Sequence, residues 1–345
     1  MSMRDGLCGL VLLLAASLTG CDAAAPEVVV YSSVDDVFAR PIAERFAQET
    51  GIVVRLVPDT EETKSTGLLN RLIAERERPR ADVFWSGDPV RAAILKANGL
   101  TEAYRSPNAA GLPERFSDPE GHWTGFSARA RVLMFNREQV SDAEAPTSVM
   151  DLLASRFAGV SCVANPLFGT TSMHAAALFE VLGEAEATRF FEGFIENGGQ
   201  IVSSNGEVRR RVAAGDCQVG LTDTDDANVA RQEGRPVGIV YPDQDGMGAL
   251  VIPNAAVLIR GAPHPQQARR FIDYLLRPET ERALAESDAA QMPVRPGLDV
   301  PGHIQPLDEI QAMQVADARL AARREELSAG FLPRWVDAHS VRSGA

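Results

Sequence analysis

From Glu27 onward, short apolar runs alternate with segments of helical period, a pattern that restricts the chain to a layered α/β fold with a largely parallel sheet. Val28 to Ser32 is expected as a buried strand, and Phe38, Ile42 and Phe46 then recur on one helical face that Gly51 stops. Ile52 to Val57 and Asp82 to Trp85 are the next strands, with helices at Thr66 to Ala74 and Pro89 to Asn98. After a loop rich in Pro and Gly, Ala130 to Phe135 is a strand and Pro146-Thr147-Ser148 opens a helix through Leu153. A second series has strands at Ser161 to Ala164, Gln200 to Ser203, Gln218 to Leu221 and Val237 to Tyr241, with helices starting near Thr171, Ala185, Glu207 and Asp225. Gly248 to Arg260, interrupted by Pro253-Asn254, is expected to cross back to the first series. Pro265 to Ser287 and Leu307 to Gly330 are expected as helices.

At 345 residues, 45% apolar, the chain can bury a sizeable core, and its length suggests two domains. Its net charge is −13, and its basic residues, all but two of them arginine, are scattered rather than gathered in a stripe. Nucleic acid is therefore not an expected partner, whereas a cation could be drawn to a local carboxylate cluster.

Arg4 is followed by an apolar run, Leu7 to Leu18, and then by Leu18-Thr19-Gly20-Cys21. The run is too short to span a bilayer, which takes roughly twenty helical residues. The arrangement resembles bacterial lipoprotein signals, which implies removal of residues 1–20 and lipidation of Cys21. In such precursors an aspartate after the cysteine, here Asp22, often accompanies retention at the inner membrane. Cys162 and Cys217 are then left in an oxidising compartment, where they either pair as a disulfide or remain two buried thiols. No cysteine or histidine cluster has metal-binding spacing.

Several segments, in order, resemble the ferric-iron branch of periplasmic solute-binding proteins of ABC importers. They are Val29-Val30-Tyr31-Ser32-Ser33, Ala81-Asp82-Val83-Phe84-Trp85-Ser86, Trp123 to Arg129, Ala164-Asn165-Pro166, Gly220-Leu221-Thr222-Asp223, Val251-Ile252-Pro253-Asn254 and Gly261 to Pro265. The resemblance implies two doubly wound α/β lobes joined by crossover hinge strands, the type II periplasmic binding fold. The expected division is a signal peptide over 1–20, lobe 1 over 21–129 plus 255–305, and lobe 2 over 130–254 plus 306–345. It also implies a monomer without catalytic residues that passes its ligand to an inner-membrane ABC permease and its ATPase, and a metal ion with a synergistic anion as one possible cargo.

Three loops are the expected ligand contacts. Ser32 and Ser33 end the first strand ahead of Asp35 and Asp36, although ordinary helix capping accounts for that pattern equally well. Gly169-Thr170-Thr171, after Phe168, is a small, hydroxyl-rich helix start suited to an anion, and it resembles the family's anion-holding segment. Thr222, Asp223 and Asp225 fall where ferric relatives carry an adjacent tyrosine pair, and no tyrosine is present here. Asp35 stands in place of the family's histidine ligand, and Gly87-Asp88 lies near its glutamate ligand; Ser86 and Asn165 belong to the matched text and are also expected ligand contacts, and Trp85 either stacks on a ligand or packs inside the lobe. Asp35, Asp223 and Asp225 are thus the expected metal ligands, in an oxygen-rich cleft suited to a hard cation, a cationic organic group or a phosphorylated compound.

No GxSxG, SxxK, HExxH, Walker or GxGxxG motif occurs, and histidines 122, 174, 264, 303 and 339 show no ligand spacing. Asp243-Gln244-Asp245-Gly246 lacks the oxygen positions of a calcium loop. An enzyme is not expected. A sensor subunit with the same lobes remains an alternative to transport.

Overall fold

The computed structural model describes residues 25–59 and 67–340, so the signal segment and Cys21 lie outside the described residues. In the first part of the chain, strands β1 (Glu27–Ser32), β2 (Val53–Pro58), β3 (Val83–Ser86) and β4 (Thr101–Glu102) are interleaved with helices α1 (Asp36–Thr50), α2 (Gly67–Ala74) and α3 (Pro89–Ala97). Then follow β5 (Thr124–Asn136), β6 (Ser161–Ala164), α4 (Gly169–Leu182), α5 (Glu184–Glu196), β7 (Gln200–Val202), α6 (Asn205–Ala214), β8 (Val219–Asp223), α7 (Thr224–Gln232) and β9 (Val237–Val240). The chain ends with β10 (Val251–Ile259), α8 (Pro265–Leu275), α9 (Pro278–Glu286), α10 (Asp317–Ala329) and α11 (Phe331–Ser340).

The strands run in the order β2-β1-β3-β10-β5-β8-β6-β7, with β4 beside β10 and β9 beside β5. The sets β2-β1-β3 and β8-β6-β7 are each parallel, as the strand–helix alternation requires; β10 is antiparallel to β3 and β5, and β5 is antiparallel to β8. Residues 124–130 of β5 pair with β10, and residues 131–136 pair with β8 and β9. One continuous strand therefore belongs to both halves of the sheet. Beside it the β5–β10 register shifts between Pro253 and Asn254, where proline supplies no ladder donor.

The freed backbone groups at this shift are met by buried side chains. Asn254 Nδ2 donates to the carbonyls of Ser127 at 2.8 Å and Phe126 at 3.3 Å, and to Gln291 Oε1 at 2.7 Å. Glu281 Oε1 accepts from the backbone N–H of Ser127 at 2.9 Å and of Val294 at 2.8 Å. Ser127 itself holds φ at 38°, a conformation rare outside glycine.

Each half has its own core. Val28, Val30, Phe46, Trp85, Phe126 and Phe271 pack in the first, and Phe157, Phe179, Phe190, Phe194, Leu221 and Trp335 in the second. Strands buried on both faces, such as β3 and β6, carry no polar alternation for that reason.

Three expected helices differ. Pro265 to Ser287 is broken into α8 and α9 at Leu276-Arg277, because Arg277 precedes Pro278 and takes an extended conformation. Thr280 Oγ1 donates across the break to the Tyr274 carbonyl at 2.7 Å, beside the Arg277 N–H at 3.2 Å. Pro146 to Leu153 forms only a 3-10 turn, Val149–Leu153, closed by a Ser148–Asp151 capping box. Leu307 to Gly330 is a 3-10 turn, Leu307–Glu309, followed by an extended stretch and α10, which packs against both α3 and α4.

Candidate functional site

The parallel strands of each half end at one edge, where loops turn into helices, the usual place for ligands in open α/β sheets. In the first half Ser33 Oγ accepts from the Gly87 N–H at 2.9 Å, fixing the end of β1 to the turn after β3. Ser32 Oγ accepts from the Val34 N–H at 3.2 Å, and Ser86 Oγ from the Asp88 N–H at 3.3 Å. Asp88 caps α3 by accepting from the Arg91 N–H at 3.0 Å, and its carboxylate also pairs with the buried Arg91 guanidinium. These residues are in the expected place, but their polar atoms are committed to the loop. Asp35 caps α1 by position and makes no side-chain capping bond.

In the second half, Arg131 is completely buried. Its Nη1 donates to Asp223 Oδ1 at 2.8 Å, Asn205 Oδ1 at 3.0 Å and Thr170 Oγ1 at 3.2 Å, and its Nη2 donates to the Leu221 carbonyl at 3.2 Å. Thr170 Oγ1 donates to Asp223 Oδ2 at 2.6 Å, and Asn205 Nδ2 reaches the same oxygen at 3.2 Å. Burial pushes the Asp223 carboxyl up, but Arg131, Arg129 and the Thr170 hydrogen bond outweigh it and hold it below the usual carboxylate range. Thr171 donates to Asn205 Oδ1 at 3.3 Å, and Thr222 Oγ1 lies 3.3 Å from the Asn205 carbonyl. Asn165 Oδ1 accepts from the Leu167 N–H at 3.0 Å. Gly169 has φ of 57°, and the space beside its Cα is open.

Arg129 lies between the halves. It shares a face of β5 with Arg131, two residues on. Its Nε is 3.6 Å from Asp223 Oδ2, and its Nη2 would be 3.5 Å from a Cβ placed on Gly87. Burial opposes its charge, but Asp225, Asp223, Asp35 and Asp226 together raise its pKa above the ordinary arginine value. Asp225 is pushed up to about 6 by burial, with Asp223 and Asp35 adding to the shift and Arg129 opposing it. On the other side Arg91 is lowered well below its ordinary value, first by burial and then by repulsion from Arg324 and Arg129. Arg324, from α10, donates from Nε to Ser172 Oγ in the first turn of α4 at 2.9 Å.

The expected metal trio is regrouped. Carboxylate oxygens of Asp223, Asp225 and Asp226 lie within 4.8 Å of one another, so Asp226 takes the place expected for Asp35, which remains in electrostatic reach of Asp225 and Arg129. Trp85 does not face the cleft: it is fully buried, and its ring centroid is 5.8 Å from that of Phe126. Cys162 and Cys217 are buried and in hydrogen-bonding contact, but as free thiols; that contact and burial push the Cys162 thiol up.

Sequence reasoning missed Arg91, Arg129, Arg131, Asn205, Asp226 and Arg324 as members of this constellation. One signal was available: Ala128-Arg129-Ala130-Arg131 places two arginines on one face of an otherwise apolar strand, which demands buried acceptors or a ligand. Nothing local marks Arg324, whose place depends on how α10 returns across the fold.

Comparison with known proteins gives a consistent picture. The family model described as "Bacterial extracellular solute-binding protein" matches residues 78–320. Iron uptake protein A1 of Synechocystis sp. is 27% identical over 274 residues, covering 76% of this chain and 74% of that protein. The major ferric iron-binding protein of Neisseria meningitidis is 25% identical over 313 residues, covering 88% of this chain and 92% of that protein. Among solved structures, iron-bound HitA from Pseudomonas aeruginosa superposes with a TM-score of 0.78 at 23% identity, covering 88% of this chain and 98% of its own. The binding protein AfuA from Actinobacillus pleuropneumoniae, solved with fructose-6-phosphate, gives 0.78 at 21% identity, covering 91% and 99%. These structures share the type II periplasmic binding fold with this chain.

Proposed function

The chain belongs to the bacterial extracellular solute-binding proteins, and from that premise we propose that it is the lipid-anchored periplasmic component of an ABC importer, binding one small polar solute between its two halves. The observation that carries this reading is Arg129. It stands on the strand common to both halves, against Asp223 of one and Gly87 of the other. A solute meeting Arg129 would touch both sides, and its greater affinity for the closed arrangement would draw the halves together. The register shift at Pro253 and Asn254, on β10 beside that strand, supplies a place for that bend. The lobes of the proposal are the two expected segments, with β5 and β10 as hinges; residues 1–20 are the signal, and Cys21 carries the lipid.

Relatives named for iron uptake and for ferric iron binding favour a metal cargo, and the group of Asp223, Asp225 and Asp226 is the observation in its favour. The commitments of Asp223 to Arg131, Thr170 and Asn205 weigh against it. The importer role is tested with an ABC permease and ATPase of the same cell, reconstituted in vesicles. Mature protein with periplasmic small-molecule extract should raise ATP hydrolysis. If hydrolysis is unchanged and a membrane kinase responds instead, the protein is a sensor subunit.

A further inference from the structure

A cavity of about 340 Å³ lies outside the constellation around Arg129 and Arg131 and shares no lining residue with it. That volume suits a small molecule. Thr224, Asn228 and Arg231, spaced to share one face of α7, form one wall, and Ile239 of β9 and the following Tyr241 continue it. The segment after α9 supplies the other wall, with Ala290, Ile304 and Glu309.

Both walls are held in place. Asn228 Nδ2 donates to the Asp288 carbonyl at 3.3 Å, and Met292 exchanges two backbone hydrogen bonds of 2.7 Å with Ala128 on β5. Thr224 Oγ1 accepts from the Ala130 N–H at 3.1 Å and so ties α7 to the same strand. Ala290 is buried with φ of 43°, an unfavourable state for a residue with a Cβ, which these bonds maintain.

Several polar groups of the cavity lack strong partners. The Arg231 side chain makes no hydrogen bond or ion pair among the described residues. Glu309 meets Gln305 Nε2 at 3.5 Å and does not pair with Arg231. The Tyr241 hydroxyl has only the Met292 sulfur, at 4.0 Å. Burial pushes this phenol up to about 12, with Arg231 opposing, so it stays a neutral O–H donor. Solvated surface charges often stand alone. Here a cation, an anion and a largely covered phenol line one volume together with the apolar Ile239, Ala290 and Ile304.

We propose that this cavity binds an aliphatic α-amino acid as its zwitterion, with Arg231 taking the carboxylate, Glu309 the ammonium, and Ile239, Ala290 and Ile304 the side chain. A guanidinium fork matches a carboxylate with two parallel N–H···O bonds, and Tyr241 offers a further donor. A simple carboxylic acid would meet like charge at Glu309, and a simple amine would meet it at Arg231. A molecule carrying both charges answers both groups. The site is separate from the cleft, so the inference does not depend on what the cleft carries.

The test is calorimetric titration of the mature protein, dialysed free of small molecules. The probes are L-leucine, isocaproate, which lacks the ammonium, and isoamylamine, which lacks the carboxylate. The expected result is saturable leucine binding, with each analogue weaker by about tenfold or more. Arg231→Gln should bring leucine down to the level of isoamylamine, and Glu309→Gln should bring it down to that of isocaproate. Both side chains are exposed, so thermal melts should show both variants folded. Arg129→Gln should leave leucine binding unchanged. Absence of saturable leucine binding, or analogues that bind as tightly as leucine, would overturn the proposal. Leucine binding that Arg129→Gln abolishes and Arg231→Gln spares would overturn it too, by placing the amino acid in the cleft.

Discussion

Arg131 Nη1 and Asp223 Oδ1 are 2.8 Å apart, with 0% and 6% of their side chains exposed. A pair so buried is costly to break from one side, because the remaining charge has no water to turn to. Asp223→Asn should therefore destabilise the fold by about 3–5 kcal/mol, read as a lower urea midpoint. Asp223→Asn combined with Arg131→Met should recover much of that loss. If Asp223→Asn left stability unchanged and abolished binding alone, Asp223 would be a ligand group and not a structural one.

His174 lies beneath the same network, fully buried, with Nδ1 lacking a partner among the described residues. Burial, then Arg131, lower its pKa to about 3, with Asp223 opposing. The unfolded chain takes up this proton near the ordinary value of 6.5, and the folded chain does so only near 3. Stability from this group is thus complete above pH ~6.5 and falls by about 1.4 kcal/mol per unit as pH drops toward 3. His174→Gln should flatten the loss of melting temperature between pH 7.5 and pH 5. Parallel curves for the two proteins would contradict the assignment.

The Cys162–Cys217 contact joins β6 to the residues entering β8, both of which end at the site. In the oxidising periplasm we expect these thiols to be joined. Closing a loop of this length stabilises by roughly 4 kcal/mol in the chain-entropy model. Denatured, unreduced protein from the periplasm should then take up no thiol label, and reduction should lower its melting temperature. Two labelled cysteines would show that the pair stays reduced.

The proposed lipid anchor is tested at Cys21. Cys21→Ser protein should move from the membrane fraction to the soluble periplasm. Retention on membranes in high salt would contradict the lipid assignment.

The fold was legible because its strands are apolar runs of the right length between recognisable stops such as Gly51, whose backbone at φ of 71° ends α1 as its position predicts. The break at Pro278 was also written in the chain, yet the helical period continues across it and hides the interruption. The site was less legible. Ser33, Thr170 and Asp223 could be placed at or after strand ends from the sequence, but whether a carboxylate is open to a ligand depends on its neighbours, and those neighbours are remote. Asp223 meets Arg131 across 92 positions, and Ser172 meets Arg324 across 152. Pairings of that span are decided by topology, which local pattern does not encode. Trp85 shows the same limit: an aromatic side chain in the last turns of a strand can face either way, and here the first-half core takes it.

The account stands on a solute held between the two halves. Native mass spectrometry and small-angle scattering of protein purified from its own periplasm test that most directly. We predict one small molecule per chain, lost on denaturation, and a larger radius of gyration after refolding without it that shrinks again when the molecule is returned. A chain with no bound molecule, and with a radius indifferent to its own periplasmic extract, would contradict it.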